Sequence, residues 1–349
     1  MRLSCRRGLP CLKKLRYNRR MPILSVSNLK KRFNMEAGFF ARYGRFVNAV
    51  NGVSFSIAAN EAYGLVGESG CGKTTTARLL VRMYEADGGE IMYYPAERQA
   101  QSVGALRKEE LRLYREKVRY VFQDPARSLN PRMNVYEVIV SGCRGALKRR
   151  GVEEQALRER AAGILEEVGL SASDLEKRPS QFSGGQRQRI SIARSLLMEP
   201  SLLICDEVVS ALDVSIQGQI LNLLLDIQEK RAMSFLFIAH DLKVACYFCD
   251  RIGVMYNGEL MEEAPAARLY SEALHPYTQL LFSCATGKKG QTERQPAAAE
   301  PKHAPPSASQ TAPSCPFAPR CPKAAPRCFN EHPDLTEAGT GHLIRCFFP

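Results

Sequence analysis

The sequence predicts an α/β fold built on a buried, largely parallel sheet with its chemistry at the strand ends. Three observations predict it. Tyr63–Val66, Leu202–Cys205 and Ser234–Ile238 are short apolar runs without polar alternation, the pattern of strands covered on both faces. Each run stops at polar or glycine residues: Gly67-Glu68, Asp206-Glu207 and His240-Asp241. The first run then passes through a glycine-rich turn into Thr76-Ala77-Arg78-Leu79-Leu80-Val81, which reads as the start of a helix.

That turn is Gly67-Glu68-Ser69-Gly70-Cys71-Gly72-Lys73-Thr74-Thr75. Strand, G-x-x-x-x-G-K-[ST] and helix together make a P-loop, and a phosphate ligand is expected there. The glycines let successive backbone N–H groups turn onto one anion, and the helix N-terminus adds partial positive charge. Lys73 is expected on the terminal phosphates and the Thr74 hydroxyl on Mg²⁺.

The composition is that of a soluble globular protein, 45% hydrophobic and 24% charged over 349 residues. No run reaches the roughly 18 apolar residues of a membrane span. The formal net charge is +13, but eight basic residues and no acid lie in residues 1–20, so the remainder carries only +5. Charge therefore does not call for a nucleic-acid partner. The twelve cysteines follow no roughly 7–15-residue apolar signal stretch. Beside a P-loop they suggest a reducing cytosol, and where clustered they suggest metal rather than disulfides.

Along the chain, residues 1–20 read as an unstructured basic leader; one hypothesis makes Met21 the real start, and the alternative, a membrane-surface anchor, is less favoured because no apolar face accompanies the charge. Residues 22–33 and 46–58 read as sheet strands; in the second, Val53, Phe55 and Ile57 alternate with serines. Phe39, Phe40, Tyr43 and Phe46 lie around the join, and Tyr43 or Phe46 is the candidate to stack on a nucleotide base. Residues 105–117 read as a charged surface helix, followed by the strand 118–122, which ends at Gln123. Gln123 could coordinate Mg²⁺ or the attacking water. Residues 132–178 are rich in helix formers, with Leu157, Ala161, Ile164 and Leu165 on one face of a helix. Phe182-Ser183-Gly184-Gly185-Gln186 opens another helix and offers a hydroxyl and N–H groups to an anion. Asp206 is placed to hold the Mg²⁺ shell and Glu207 to orient or deprotonate water.

Taken in order, GESGCGKTT, the Gln123 loop, FSGGQRQR, LLICDE, SALD and His240 resemble an ABC-type ATPase domain over about residues 22–283, with a helical subdomain at about 125–195. Phe182 stands where the family usually has leucine, and Val208-Val209 where it has Pro-Thr; neither change removes a phosphate, metal or proton-handling group. The stretch Gln123–Arg132 and His275-Pro276-Tyr277 are similar to oligopeptide and dipeptide importer ATPases, F-type, which share their ATPase type with nickel and glutathione importers.

The resemblance implies ATP and Mg²⁺ as ligands and a head-to-tail pair of ATPase subunits, as a homodimer or with a D-type partner. Ser183, Gly184, Gly185 and Gln186 of one subunit would face the other's P-loop. Glu207, His240 and a partner's loop bearing Asp213 would complete the site. It also implies two transmembrane permease subunits, an extracytoplasmic binding protein reached indirectly, no nucleic acid, and a peripheral place on the cytoplasmic face of the cell membrane. A soluble ABC ATPase of DNA repair or translation is the rival reading. The first type would insert a long coiled coil and the second would carry two ATPase units; neither pattern is present.

Residues 285–314, rich in Pro, Ala, Gln, Ser and Thr, read as a flexible linker. Residues 315–349 read as a cysteine-rich extension with Cys315, Cys321, Cys328 and Cys346 spaced C-x5-C-x6-C-x17-C. Four thiolates suit Zn²⁺ or a [4Fe–4S] cluster, though the spacing lacks the close pairs of zinc sites. The importer ATPases carry a similar tail that is read as iron–sulfur. Cys246-Tyr247-Phe248-Cys249, in a helix-like run, reads as packing.

Overall fold

The computed structural model describes residues 21–34, 46–96, 99–286 and 314–349. The basic leader, Phe39, Phe40, Tyr43 and nearly all of the expected linker lie outside these residues. Two sheets organise the described chain. One is antiparallel, in the order β2 (Phe46–Ala58), β1 (Pro22–Asn34), β4 (Gly88–Tyr93), β5 (Gln101–Ser102). On β2, Val53, Phe55 and Ile57 point into the core and the serines between them do not, as the period of two requires.

The second sheet has eight strands. Its centre is parallel: β6 (Val118–Val121), β7 (Leu202–Asp206), β8 (Ser234–Ala239), β3 (Ala62–Val66) and β9 (Arg251–Tyr256), side by side in that order. Strands β3, β7 and β8 are buried at every position, which is why they read as unbroken apolar runs. The sheet continues antiparallel through β10 (Glu259–Pro265), β12 (Leu343–Ile344) and β11 (Thr336–Glu337). The ends of β3, β7 and β8 face the same edge, so register alone gathers Gly67, Asp206-Glu207 and His240.

Helices Pro125–Ser128, Val135–Val140, Arg144–Arg149, Glu154–Glu167 and Gly184–Leu196 separate β6 from β7. Helix Glu154–Glu167 buries Leu157, Ala161, Ile164 and Leu165, the face its spacing predicts. Helix Leu242–Phe248 begins at Asp241, whose carboxylate accepts from the Lys243 N–H at 2.8 Å. Cys249, at its end, packs its sulfur against Gly64 of β3.

The last part of the chain is packed on this body. Its centre is aromatic: Phe317 is fully buried, with its ring centre 5.3 Å from both Tyr256 and Tyr277 and 5.8 Å from His275. Burying such rings contributes on the order of 2–3 kcal/mol each. Strand β10 supplies three buried glutamates, Glu259, Glu262 and Glu263. Glu259 bonds Asn51 and His332; Glu262 bonds His342 at 2.7 Å and accepts from the N–H groups of Leu274 and His275; Glu263 accepts from the Tyr63 hydroxyl at 2.7 Å.

An extension organised round its cysteines is not what the structure supports. Burial holds the thiols of Cys315, Cys321 and Cys346 above their ordinary pKa, and neighbouring thiols add to this. Among the described residues no three Cys, His, Asp or Glu side chains form a group fit to hold a metal ion. The four residues do not fit a Zn²⁺ or iron–sulfur centre as they stand. Phe317, Tyr256, Tyr277 and the paired glutamates hold the segment instead.

Candidate nucleotide site

The loop from Gly67 to Gly72 joins β3 to helix Lys73–Leu80. Gly72 precedes the helix at φ +106°, and a Cβ there would lie 2.1 Å from the Ala49 carbonyl oxygen, so only glycine fits. The Lys73 ammonium is buried and donates to the carbonyls of Gly67 at 2.7 Å and Glu68 at 2.8 Å, spanning the loop from inside. Those donors suit an anion that would replace the carbonyls as partner.

Thr74 opens the same helix and donates its hydroxyl to Asp206 Oδ1 at 3.0 Å. The other Asp206 oxygen accepts from the Tyr120 hydroxyl at 2.5 Å. The carboxylate is thus buried yet doubly bonded, and Thr74 and Asp206 already adjoin as two oxygen ligands of a Mg²⁺ ion would. Next to it, Glu207 adopts φ +48°, a left-handed conformation costing on the order of 1–2 kcal/mol for a residue with a Cβ. This turn points its carboxylate at Gln123, whose Nε2 donates to it at 2.8 Å. A small cleft of about 40 Å³ runs from Glu207 past Ser210 and Gln217 to the exposed His240.

Ser183 caps helix Gly184–Leu196. Its hydroxyl accepts from the Gln186 N–H, and the Gln186 side chain accepts from the Ser183 N–H, a reciprocal capping box. Both side chains are exposed. A Cβ on Gly185 would meet Ile216 of helix Val214–Arg231 at 2.7 Å, so this glycine lets the two helices approach. Asp213 precedes that helix, and the next residue, Val214, is 85% exposed.

The structure thus brings Lys73, Thr74, Asp206, Glu207 and Gln123 together and leaves Ser183–Gln186 and Asp213 on the surface. Three contributors were not singled out for this site from sequence. Tyr120 lies three residues before Gln123 on β6. Tyr277 accepts from the Glu68 N–H at 2.9 Å, and Arg320 pairs with the Glu68 side chain. Tyr120 left a sequence signal on the strand leading to Gln123 and Tyr277 in the His-Pro-Tyr stretch, whereas Arg320 left none.

Comparison with known proteins agrees with this geometry. Residues 50–210 match the ABC transporter family model, and residues 261–328 match that of the oligopeptide/dipeptide transporter C-terminal region. The chain is similar to the oligopeptide transport ATP-binding protein AppF of Bacillus subtilis, 41% identical over 93% of this chain and 96% of that one. It is 40% identical to the probable peptide ABC transporter ATP-binding protein y4tS of Sinorhizobium fredii, over 93% of this chain and 89% of that one. Among solved structures, cbiO1 of Clostridium perfringens superposes with a TM-score of 0.60 at 25% identity over 72% of this chain and 91% of that one. The ADP- and phosphate-bound dimer of the cassette MJ0796 superposes at 0.59 with 27% identity, over 70% and 98%.

The protein is an ABC-type ATPase. Within that class it belongs to the ATP-binding subunits of the oligopeptide and dipeptide ABC transporter family.

Proposed function

We propose that this chain is the subunit that hydrolyses ATP to drive import of oligopeptides or dipeptides, or of related cargo such as nickel complexes or glutathione. The observation that carries the reading is the Thr74–Asp206–Tyr120 chain of hydrogen bonds next to the Glu207–Gln123 pair. It supports the reading because the Thr74 and Asp206 oxygens and the Glu207 carboxylate lie together on the sheet edge next to the glycine-rich loop. ATP would enter the loop, with Lys73 leaving its carbonyl partners for the terminal phosphates. Thr74 and Asp206, with Gln123, would hold Mg²⁺, which supplies charge stabilisation when bound. Glu207 would accept a proton from the attacking water, oriented with Gln123 and His240.

Two subunits would pair head to tail, identical or with a D-type partner. The exposed Ser183–Gln186 tip and Asp213 loop support this, because neither meets a phosphate-binding loop within its own chain. The described residues contain no helix long and apolar enough to cross a membrane, so two permease subunits would hold the pair at the cytoplasmic face, with a binding protein on the far side. A base-stacking Tyr43 belongs to the same reading. The DNA-repair or translation alternative gains no support from the relatives.

The test is reconstitution of the chain with its permease subunits in liposomes. Magnesium-dependent ATP hydrolysis that rises with peptide-loaded binding protein is expected. ATP hydrolysis indifferent to permeases and peptide would refute the import role.

A further inference from the structure

The second residue of the phosphate loop, Glu68, is an acid at the lip of a site built for a polyanion. Its carboxylate is 40% exposed, and the structure pairs it with one cation from the far end of the chain. Arg320 donates Nη1 to Glu68 Oε2 and Nη2 to Glu68 Oε1, both at 2.8 Å, a two-toothed pair across 252 positions. The guanidinium is itself seated on aromatic rings, 5.7 Å from the Tyr256 ring centre and 5.8 Å from that of Phe317. Tyr277, in contact with the same two rings, takes up the Glu68 backbone N–H. The Glu68 carboxylate is therefore tied to the C-terminal segment through Arg320 and its N–H to Tyr277, while its carbonyl stays within the loop, accepting from Lys73 Nζ and the Cys71 N–H. The carboxyl is held below its usual pKa, chiefly by its bonds to Arg320, and the Lys73 charge adds to this. Glu68 is thus a full negative charge within the field of the lysine that should meet the phosphates.

We propose that Arg320 is a positioning residue of the nucleotide site: it draws the Glu68 carboxylate outward and cancels its charge, so that the loop can accept a nucleoside triphosphate. The inference rests on the phosphate-loop reading above. It gives the C-terminal segment a part in nucleotide affinity besides packing.

The test is equilibrium binding of radiolabelled ATP with Mg²⁺ to the full-length protein, with thermal melting to confirm folding. Arg320→Gln leaves Glu68 uncancelled and should weaken binding about three- to tenfold, the scale of one partly exposed charge acting on a polyanion. The defect should shrink as salt is raised, since the repulsion is screened. Arg320→Lys should recover part of the loss. Glu68→Gln, which leaves Arg320 as a spare cation, should bind no more weakly than wild type, and Glu68→Gln/Arg320→Gln should return to within about twofold of it. A pair that only pins the loop gives a different pattern: Glu68→Gln weakens binding as Arg320→Gln does, the double variant is no better, and salt changes nothing. That pattern overturns the proposal. So does unaltered affinity in Arg320→Gln while Lys73→Ala abolishes binding, a result that leaves the phosphate-loop reading intact. Should Arg320→Gln not fold, Glu68→Gln alone decides: weaker binding refutes the charge role. Wild-type protein without magnesium-dependent ATP affinity would remove both readings together.

Discussion

His275 should make stability depend on pH in a window set by its burial. The side chain is 1% exposed and lies tilted against Phe317, ring centres 5.8 Å apart. Its Nδ1 accepts from the Tyr277 N–H at 3.0 Å, so the ring is held as a neutral acceptor there. Burial pushes its pKa from 6.5 down to about 4, a fall that a hydrogen bond to the Arg345 backbone only partly offsets. The unfolded chain therefore takes up a proton first. The contribution of a neutral His275 is complete above about pH 6.5 and is lost as pH falls towards the folded value, with no further loss below it. The whole gap corresponds to about 3 kcal/mol, and about 2 kcal/mol of it falls between pH 7 and pH 5. Glu262, which accepts from the His275 N–H, and its partner His342 lie close by. The assay is urea unfolding of wild type and His275→Gln at a series of pH values, compared by difference. His275→Gln should be less stable near neutrality because the fitted imidazole is gone, and the gap should close towards acid. Parallel curves, with the same difference at both ends, would refute the argument.

Glu207→Gln should keep ATP affinity and lower hydrolysis by a factor on the order of 10²–10⁴, the usual range for losing a general base; single-turnover rates decide, and unchanged turnover would end its role. Tyr120→Phe strips one of the two hydrogen bonds from the buried Asp206 carboxylate and should cost about 1–3 kcal/mol in thermal or urea unfolding. Phe317→Ala empties the aromatic centre of the C-terminal segment, with an expected loss of about 3–5 kcal/mol in thermal or urea unfolding.

What the sequence made legible was local. Strands β3, β7 and β8 are unbroken apolar runs because both faces are covered, and the residues that end them fall together through parallel register. The positions of Lys73 and Thr74 follow from the G-x-x-x-x-G-K-T spacing and that of Asp206 from the end of an apolar run, and the structure sets Thr74 against Asp206. The long-range partners could not be read so. Nothing in the order of residues ties Arg320 to Glu68 or Glu262 to His342, because those pairs depend on how the last segment folds back. Strands β11 and β12 are two residues each, too short for any period to show. The cysteine spacing drew attention to metal, whereas the structure spends that segment's apolar surface on an aromatic centre.

The glutamate row on β10 has a consequence for anyone who would trim this protein. A stop codon placed before Cys315 would look like the removal of an appendage. It would take away His332 from Glu259 and His342 from Glu262, leaving the first carboxylate with Asn51 and the second with the Leu274 and His275 N–H groups, and it would remove Phe317 from between Tyr256 and Tyr277. A lost bond to a buried carboxylate costs about 1–3 kcal/mol. The shortened ATPase would be expected to come out as aggregate, and its silence would say nothing about the catalytic residues it still contains.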